Sequence, residues 1–318
     1  MAERIIICGT GSIGMQYAAI LRGMGIDPML IPVRAERCKE LKSEGYTVAK
    51  ELDSSIADST NCCIIATETK RHVEDALRAM GLGLRVLVEK PLGVSVEDIC
   101  RFKRTAGGHG LDRLRVACPL RWYEAVAAVK ENLVELGQIH TVNICCQSYL
   151  PDWRPRRNYK TSYSASLDQG GVVRDLVHEI DYCNYLFGLP SAGDIQFSGV
   201  RGGSIGIEST SNAILSWGIG GQTLVSIQLD YLTRSAKRSI CVYGEKGEIK
   251  ADLISGEVKC VLAGGESKIQ NVEVNRDAAT VKMLESFIKD DGLGCTFQQA
   301  LEAAEIIDVC EMSMRDLK

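Results

Sequence analysis

Three ionisable side chains, Asp175, His178 and Asp181, have the types and the spacing that acid–base chemistry needs. Positions i, i+3 and i+6 share roughly one face of a helix, and the sequence predicts a helix over residues 172–186. Flanking carboxylates can hold a histidine in one tautomer and tune it as a general base. On spacing alone, an acid at a helix N-terminus beside a hydrogen-bonded core histidine is the more ordinary interpretation.

A lysine in the tripeptide Glu89-Lys90-Pro91 is the second candidate for catalysis. It follows an apolar run that predicts a strand over residues 85–88, and doubly wound sheets bind ligands at the carboxyl ends of such strands. The proline fixes the backbone beside the lysine, and the peptide bond between them can be cis. Without its context, the tripeptide would indicate only a surface lysine.

A glycine-rich loop predicts the cofactor. The motif Gly9-x-Gly11-x-x-Gly14 follows an apolar strand and opens a helix. Gly9 allows the tight turn, Gly11 lets the backbone approach a pyrophosphate, and Gly14 lets the helix pack closely on the strand. The helix N-terminus, with Ser12 and Ile13, faces the phosphate charge. The motif therefore predicts a bound dinucleotide, and the alternative is a glycine turn without a ligand.

The position that usually selects between NAD and NADP carries a basic residue here. An acid about 20 residues beyond the last glycine usually binds the ribose 2′-hydroxyl. That position lies near Arg34, and no acid occurs between Asp27 and Glu36. Arg34 or Arg37 can meet a 2′-phosphate instead, so NADP is slightly favoured over NAD. The alternative is a solvated loop arginine.

The elements that position these residues change in character along the chain. In the first part, strands are predicted over residues 4–8, 29–33, 62–66, 85–88 and 115–117, with helices between them, for instance over 13–24 and 70–80. Near-continuous apolar strands that alternate with helices predict an α/β Rossmann domain with a doubly wound parallel sheet. We place this dinucleotide-binding domain at residues 1–120.

The remaining residues, 121–318, predict an α+β substrate and oligomerisation domain. Helices are predicted over residues 121–136, 172–186, 278–289 and 297–314, and a strand over 139–148. Between residues 194 and 274 strand follows strand, with glycine turns and no crossover helix. This pattern predicts an open, largely antiparallel sheet.

Composition excludes several classes of protein. The 318 residues carry a formal net charge of −4, which argues against nucleic acid and acidic membranes as partners. No stretch approaches the roughly 18 apolar residues of a membrane span, and the N-terminus does not resemble a secretory signal. The 13 cysteines form no Cys-x-x-Cys and no cluster with zinc spacing, so we expect free thiols, no metal and a cytoplasmic location.

Four stretches, in this order, resemble the Gfo/Idh/MocA family (glucose–fructose oxidoreductase / inositol dehydrogenase). They are GTGSIG at 9–14, IIATETKRHVEDAL at 64–77, VLVEKPLG at 86–93 and GGVVRDLVHEIDYCNYLFG at 170–188. The resemblance covers nearly the whole chain. It implies a Rossmann domain followed by an α+β domain whose open sheet often forms the oligomer contact. We therefore expect a homodimer or homotetramer.

The resemblance also implies roles for single residues. Lys90 corresponds to the lysine of the family's Glu-Lys-Pro motif, with Glu89 beside the cofactor, and His178 corresponds to its catalytic histidine. Thr67 and His72 match a family stretch near the nicotinamide.

Two positions depart from the family pattern. Glu68 stands where the family usually has a proline. Many members carry an aspartate four residues before the histidine, whereas here that position is Arg174, and Asp175 lies three before His178. This form resembles a subgroup linked to bacterial surface-sugar pathways, and it leaves open whether the aspartate relays protons.

A basic segment just before the predicted catalytic helix bears on the substrate. Residues 151–160 carry four positive charges against Asp152 alone, which gives 4 − 1 = +3 in a chain of −4. The basic residues are Arg154, Arg156, Arg157 and Lys160. Arginine suits bidentate phosphate contacts, and Trp153, Tyr159 or Tyr163 can stack on a sugar or base. An anionic substrate follows, and the alternative is a solvated loop or a subunit contact.

The sequence thus predicts an NAD(P)-dependent oxidoreductase that transfers a hydride between the nicotinamide and a secondary alcohol or ketone of a sugar, sugar phosphate or nucleotide sugar. His178 would take the proton, Lys90 would hydrogen-bond the same oxygen, and Asp175 or Asp181 would orient the histidine. The substrate-binding candidates are Arg121, Trp153, Arg154, Arg157, Tyr159 and Asp181. Two alternatives are elimination or hydrolysis of a glycoside with a recycled cofactor, and a non-catalytic dinucleotide-binding redox sensor.

Overall fold

The computed structural model describes residues 4–58, 60–107, 110–167, 170–190 and 193–315. The chain divides into two compact units. The first combines Met1–Cys118 with Thr280–Ala304, and the second combines Pro119–Ala279 with Glu305–Lys318. The sequence predicts one division near residue 120, whereas in the structure the segment 280–304 belongs with the first unit.

The bounds of the elements in the described residues are as follows. The helices are α1 (Ser12–Gly23), α2 (Arg37–Ser43), α3 (Ser54–Ala57), α4 (Thr69–Gly81), α5 (Val96–Ala106), α6 (Glu124–Asn132), α7 (Val172–Asp175), α8 (Val177–Phe187), α9 (Arg276–Lys289) and α10 (Phe297–Arg315). The strands are β1 (Ile5–Cys8), β2 (Met29–Ile31), β3 (Thr47–Val48), β4 (Cys62–Ile65), β5 (Arg85–Val88), β6 (Leu114–Val116), β7 (Ile139–Gln147), β8 (Gln196–Arg201), β9 (Thr210–Ile219), β10 (Thr223–Asp230), β11 (Lys237–Gly244), β12 (Gly247–Asp252), β13 (Glu257–Leu262), β14 (Ser267–Asn271) and β15 (Cys295–Thr296).

The sheet of the first unit has the strand order β15-β6-β5-β4-β1-β2-β3. All its pairs are parallel except β15 against β6. Every residue of β1 and β4 is buried, as expected for central strands with helices on both faces. The predicted doubly wound Rossmann sheet is confirmed. The carboxyl ends of β1, β4 and β5 lead to Gly9, Thr67 and Glu89, so these residues emerge at one edge of the sheet.

The sheet of the second unit has the order β14-β13-β12-β11-β7-β10-β9-β8. Its pairs are antiparallel except β7 with β10, so the predicted largely antiparallel sheet is confirmed with one parallel pair added. The helices α6, α7 and α8 pack on this sheet. Burial alternates along β9: Leu215 and Trp217 are buried, whereas Ile214 is 47% exposed. This alternation leaves the other face of the sheet open.

The predicted helix over residues 172–186 is two helices in the structure. α7 ends at Asp175, and α8 begins at Val177. The break lies at Leu176, whose φ of −97° and ψ of 29° leave the helical region. Asp175 and His178 are therefore not on one continuous helix face as the spacing predicted. No helix in the described ranges is both long and apolar enough to cross a membrane.

Candidate functional site

The glycine loop of the first unit is shaped by close backbone contacts. Gly9 has a φ of +96°, and a Cβ there would lie 2.4 Å from the Ala66 carbonyl oxygen. A Cβ on Gly14 would lie 2.0 Å from the Gly9 carbonyl oxygen. A Cβ on Gly11 would meet no atom within 4 Å, so the space in front of this residue is open. The loop therefore fits a dinucleotide pyrophosphate, with two glycines required by packing and the third facing free space.

The N-terminus of α1 adds to this fit. Gly11 is its N-cap, Ser12 and Ile13 are exposed, and the first turn carries no acid. The backbone N–H groups of this turn are donors without helical partners, and the helix dipole places positive charge there. Such an end binds anions without help from a basic side chain.

The two arginines near the ribose position differ in their surroundings. Arg37 pairs with Glu40 at 2.6 Å. Arg34 is exposed, and its side chain makes no ion pair with the residues that the structure describes. Of the two, Arg34 is therefore better able to bind a 2′-phosphate.

The Lys90 loop continues from β5 and is tied to α1. The Glu89 N–H donates to the Ile65 carbonyl at 2.9 Å, which extends the β4–β5 ladder by one hydrogen bond. The Glu89 carboxylate accepts from the Tyr17 hydroxyl at 2.5 Å and from the Lys90 N–H at 3.2 Å. The Lys90–Pro91 bond is cis, as the sequence suggested. Glu89 thus fixes the backbone of its neighbour.

Thr67 and His72 connect the β4 loop to the Lys90 loop. The Thr67 hydroxyl donates to Asp75 at 2.8 Å. The His72 ring lies within hydrogen-bond distance of two carbonyl oxygens: Nδ1 is 2.8 Å from Pro91 and Nε2 is 3.1 Å from Thr67. His72 is 1% exposed. Its ring nitrogens thus face the protein backbone, and its predicted contact with the cofactor stays a prediction.

In the second unit, Asp175 is the centre of a buried hydrogen-bond network. The Tyr231 hydroxyl donates to its carboxylate at 2.6 Å. Tyr163 lies close enough to Asp175 for the carboxylate to act on the tyrosine hydroxyl. Partial burial and then the Asp175 charge raise the pKa of Tyr163 to about 12, and the same causes raise the pKa of Tyr231 well above its usual value. Both tyrosines therefore remain protonated donors at neutral pH. His178 is half-buried in the first turn of α8.

Asp181 has a different partner from the one predicted by its spacing. Arg121 binds it through two hydrogen bonds, from Nε at 2.9 Å and from Nη2 at 2.7 Å, and the two side chains are 4% and 3% exposed. The guanidinium also lies over the Tyr185 ring, 4.9 Å from its centroid. Arg121 and Asp181 were both predicted to bind substrate, and in the structure they bind each other.

The basic segment approaches Asp175 through aromatic residues. Trp153 packs edge-on against Tyr231 with 5.4 Å between ring centroids, and its Nε1 donates to Ser148 at 2.9 Å. Arg154 is exposed and close enough to Tyr163 to lower its pKa in part. Trp153 and Arg154 thus belong to the same cluster as Asp175. Arg157, by contrast, is exposed and makes no ion pair with the described residues.

Tyr159 serves the loop itself, since its hydroxyl donates to the Ile205 carbonyl at 3.0 Å.

Two residues of this region of the second unit were not predicted from the sequence. Tyr231 follows β10 and has no motif around it, and it lies 56 residues from Asp175. Arg234 lies over the Tyr149 ring at 4.1 Å and adds a further exposed guanidinium. No local signal in the sequence distinguishes either residue.

A glycine loop at the edge of a Rossmann sheet, followed by a second unit with an open sheet, defines a dinucleotide-binding oxidoreductase of two units. Comparison with known families gives the family. The profile of the oxidoreductase family with an NAD-binding Rossmann fold, Gfo/Idh/MocA, matches residues 3–116, and the profile of the Gfo/Idh/MocA C-terminal domain matches residues 126–250. The chain belongs to the Gfo/Idh/MocA family.

Individual relatives are distant. An uncharacterised oxidoreductase of Streptococcus pneumoniae is 25% identical over 279 residues, which cover 82% of this chain and 71% of the relative. The levoglucosan dehydrogenase of Pseudarthrobacter phenanthrenivorans is 28% identical, over 83% of this chain and 64% of its own length. The solved structure of a UDP-N-acetylglucosamine 3-dehydrogenase from Acidithiobacillus ferrooxidans has a TM-score of 0.79 and 16% identity, over 98% of this chain and 97% of that one. At that identity, the structural likeness shows the fold.

Proposed function

We propose that this protein is an NAD(P)-dependent sugar dehydrogenase or reductase that interconverts a secondary alcohol and a ketone. The proposal rests above all on two residues, each placed within its own unit: Lys90 follows β5 at the carboxyl edge of the first sheet, and His178 lies three residues after Asp175 in the second unit. Sugar dehydrogenases among the relatives support the substrate class.

Each residue has one task in the proposed reaction. The nicotinamide, when bound, supplies the hydride chemistry. His178 accepts the hydroxyl proton as the alcohol is oxidised and returns it in the reverse direction. Lys90 hydrogen-bonds the same oxygen and stabilises the negative charge that develops on it. Asp175, whose carboxylate accepts a hydrogen bond from Tyr231, lies three residues before His178. Its negative charge stabilises the imidazolium that forms when His178 takes the proton.

The test of this proposal is the loss of turnover in Lys90→Ala and His178→Ala. Each should lower kcat by roughly 10²-fold or more while the protein remains folded. Lys70→Ala and His140→Ala are matched controls, because Lys70 makes an exposed ion pair with Glu68 and His140 is exposed on β7. Near-normal turnover in either Lys90→Ala or His178→Ala would contradict the assignment. A panel of sugars and nucleotide sugars, followed by cofactor absorbance, identifies the substrate.

The proposed substrate is anionic, a sugar phosphate or a nucleotide sugar. Arg154 supports this, since it is exposed and lies beside Tyr163 in the Asp175 network. Trp153 offers an aromatic surface in the same cluster. We expect Arg154→Ala to raise KM for a phosphorylated substrate about tenfold and to leave a matched neutral sugar unchanged. Arg104→Ala is the control, because the Arg104 side chain on α5 is 65% exposed. Better turnover of the neutral sugar by the unmodified enzyme would refute an anionic substrate.

The proposed cofactor preference is NADP(H). It rests on exposed Arg34, which stands at the position where an acid would otherwise bind the ribose 2′-hydroxyl and repel a phosphate. Arg34→Ala should weaken NADPH binding about tenfold and change NADH binding less than about threefold. Fluorescence titration of both cofactors measures this, and a tenfold preference of the unmodified protein for NADH would reverse the proposal.

We also propose that the protein forms a homo-oligomer through the open face of the second unit's sheet. We propose a cytoplasmic location as well. Neighbouring strands β9 and β10 present Ile214 and Leu224 on the open face, 47% and 57% exposed. Apolar residues on a flat sheet face suit a self-complementary contact. Leu224→Asp should lower the mass measured by light scattering, whereas Val134→Asp, at an 82% exposed position, should not. A monomeric unmodified protein would contradict this arrangement.

A further inference from the structure

The first turn of α8 carries His178, and this turn does not continue from α7. The break at Leu176 separates the two helices, and Leu176, the N-cap residue of α8, has an apolar side chain that cannot accept a hydrogen bond from the turn. A helix of 11 residues is marginal in water on its own. Contacts with the rest of the second unit must therefore fix the position of His178.

Glu179, the residue after His178, is bound to the sheet by Arg238. Its side chain is 0% exposed, Nε of Arg238 donates to Oε1 at 2.7 Å, and Nη2 lies at the same distance from that oxygen. Arg238 lies on β11, which pairs with β7, the strand on which α8 packs. It shares a face of β11 with Ile240 and Val242, which are both fully buried. A guanidinium thus occupies an inward position of the sheet and links it to the turn of His178.

This buried pair is poorly suited to a purely stabilising role. The second carboxylate oxygen, Glu179 Oε2, is buried and has no hydrogen-bond partner in the described part of the chain. Burial of a carboxylate is offset only when hydrogen bonds also fill its remaining acceptor sites, so apolar residues of similar volume should hold α8 on the sheet at least as firmly. Apolar contacts are non-directional, however, whereas hydrogen bonds from a guanidinium fix the orientation of the acceptor.

We propose that Arg238 is a positioning residue for His178, because its pair with Glu179 fixes the rotation of α8 about its own axis. Asp181 provides the second restraint, since Arg121 binds it through two hydrogen bonds. Two residues apart on a helix, Glu179 and Asp181 point about 200° away from each other around the axis. The helix therefore cannot turn without breaking one of the two pairs. This role rests on the proposed function, in which His178 accepts the hydroxyl proton.

The test replaces both members of the pair with apolar residues. Arg238→Met alone would leave Glu179 charged and unpaired in the interior, which lowers stability whatever the role of the pair. The double variant Arg238→Met with Glu179→Leu removes both charges, and its thermal unfolding midpoint should equal or exceed that of the unmodified protein. Its kcat should nevertheless fall roughly 10–100-fold, the size expected for a misplacement of about 1 Å, with little change in substrate KM. A purely structural pair predicts that kcat recovers together with stability.

Two further variants complete the series. Glu248→Leu with Lys250→Met is the matched control, because this pair lies on β12 of the same sheet with side chains 32% and 49% exposed. It should leave kcat unchanged. Arg238→Lys keeps a charge opposite Glu179 but loses the rigid fork of donors, so it should remain folded and lower kcat about fivefold.

The closing experiment measures hydrogen exchange by mass spectrometry on the full-length protein, together with kcat. Peptides covering residues 176–182 should exchange at least about tenfold faster in the stable double variant and at the unmodified rate in the β12 control. Unchanged exchange of these peptides, or unchanged kcat in the stable double variant, would overturn the inference. If the double variant does not fold, unchanged kcat in Arg238→Lys overturns it. Absence of dehydrogenase activity in the unmodified protein refutes the proposed function instead, and exchange then decides whether Arg238 holds the turn.

Discussion

The first unit positions several of its candidate site residues through close contacts with the backbone, whereas the second relies on pairs of buried side chains. In the first, Gly14 packs on the Gly9 carbonyl, and His72 spans two backbone carbonyls. In the second, Arg121 binds Asp181 with both side chains almost fully buried. A backbone contact requires a small residue or a fixed turn at one place in the sequence. A side-chain pair requires two matching residues, wherever along the chain they occur.

The two kinds of restraint also fail differently. An added methyl group in a tight backbone contact forces neighbouring atoms apart by a small distance. It lowers the free energy of unfolding by a moderate amount. Removing one member of a buried ion pair leaves the other charged and unpaired in a medium of low polarity. The second unit should therefore be the more sensitive of the two to single substitutions at positioning residues.

The largest effect is expected for Arg121→Met, because it leaves the Asp181 carboxylate buried without its partner. We expect the free energy of unfolding to fall by about 3–5 kcal/mol. All three tryptophans, Trp122, Trp153 and Trp217, belong to the second unit, so denaturant unfolding followed by tryptophan fluorescence reports on it. The double variant Arg121→Met with Asp181→Leu should recover most of the loss. If Arg121→Met were as stable as the unmodified protein, the expected difference in sensitivity between the two units would be wrong.

Gly14→Ala should have the next largest effect. The new Cβ would lie 2.0 Å from the Gly9 carbonyl oxygen, so the loop and α1 must separate. A cost of about 1–3 kcal/mol is typical of overpacking, and dinucleotide affinity should fall at least about tenfold. Gly23→Ala, in the same helix with no atom within 4 Å of its Cβ, is the matched control and should be neutral or slightly stabilising. Thermal unfolding and cofactor titration measure both; equal behaviour of the two variants would argue against the close contact.

Tyr231→Phe should lower the free energy of unfolding by less, about 1 kcal/mol. It removes the hydroxyl that donates to Asp175 at 2.6 Å, but Tyr163 lies near the same carboxylate and can donate to it in place of Tyr231. The combination of Tyr231→Phe with Tyr163→Phe should therefore cost more than the sum of the two single changes. Urea unfolding of the four proteins gives the coupling. Simple additivity would show that the two hydroxyls do not share a carboxylate.

The smallest effect is expected for Arg104→Ala. Its pair with Glu97 has side chains that are 65% and 82% exposed, and such pairs rarely contribute more than about 0.5 kcal/mol. The same unfolding measurement compares this exposed ion pair with the buried pair of Arg121 and Asp181. It therefore shows whether burial, rather than charge pairing itself, accounts for the loss of stability in Arg121→Met. A loss comparable to that of Arg121→Met would remove burial as the explanation.

The sequence predicted those features whose cause is local. The apolar runs of β1, β4 and β5 and the glycine spacing of the loop are imposed by burial and backbone geometry within a few residues. The positions of Gly9 and Lys90 at strand ends followed from the same patterns. For that reason the strands β1, β2, β4, β5 and β6 were predicted, whereas β3, β15 and the membership of residues 280–304 in this unit were not.

Features that depend on distant residues were not predicted. The partner of Asp175 is Tyr231, 56 residues away. The break at Leu176 likewise has no signal in the helical periodicity of the segment. Asp181 was assigned by helical spacing to the face of His178, whereas its partner Arg121 lies 60 residues before it. Periodicity identifies the face of a helix but carries no information about which element covers that face.

The strand β15 has a consequence for how the protein is made. It pairs with β6 through Cys295–Val116 and Thr296–Arg115, so the Rossmann sheet is closed at that edge by a segment synthesised 296 − 116 = 180 residues later. At roughly 5–20 residues per second, the ribosome needs about 9–36 seconds for that length. During this interval the hydrogen-bonding groups of β6 form an open edge, which is a template for pairing with other chains. Nascent chains of this protein should therefore depend on chaperones until their last helices emerge.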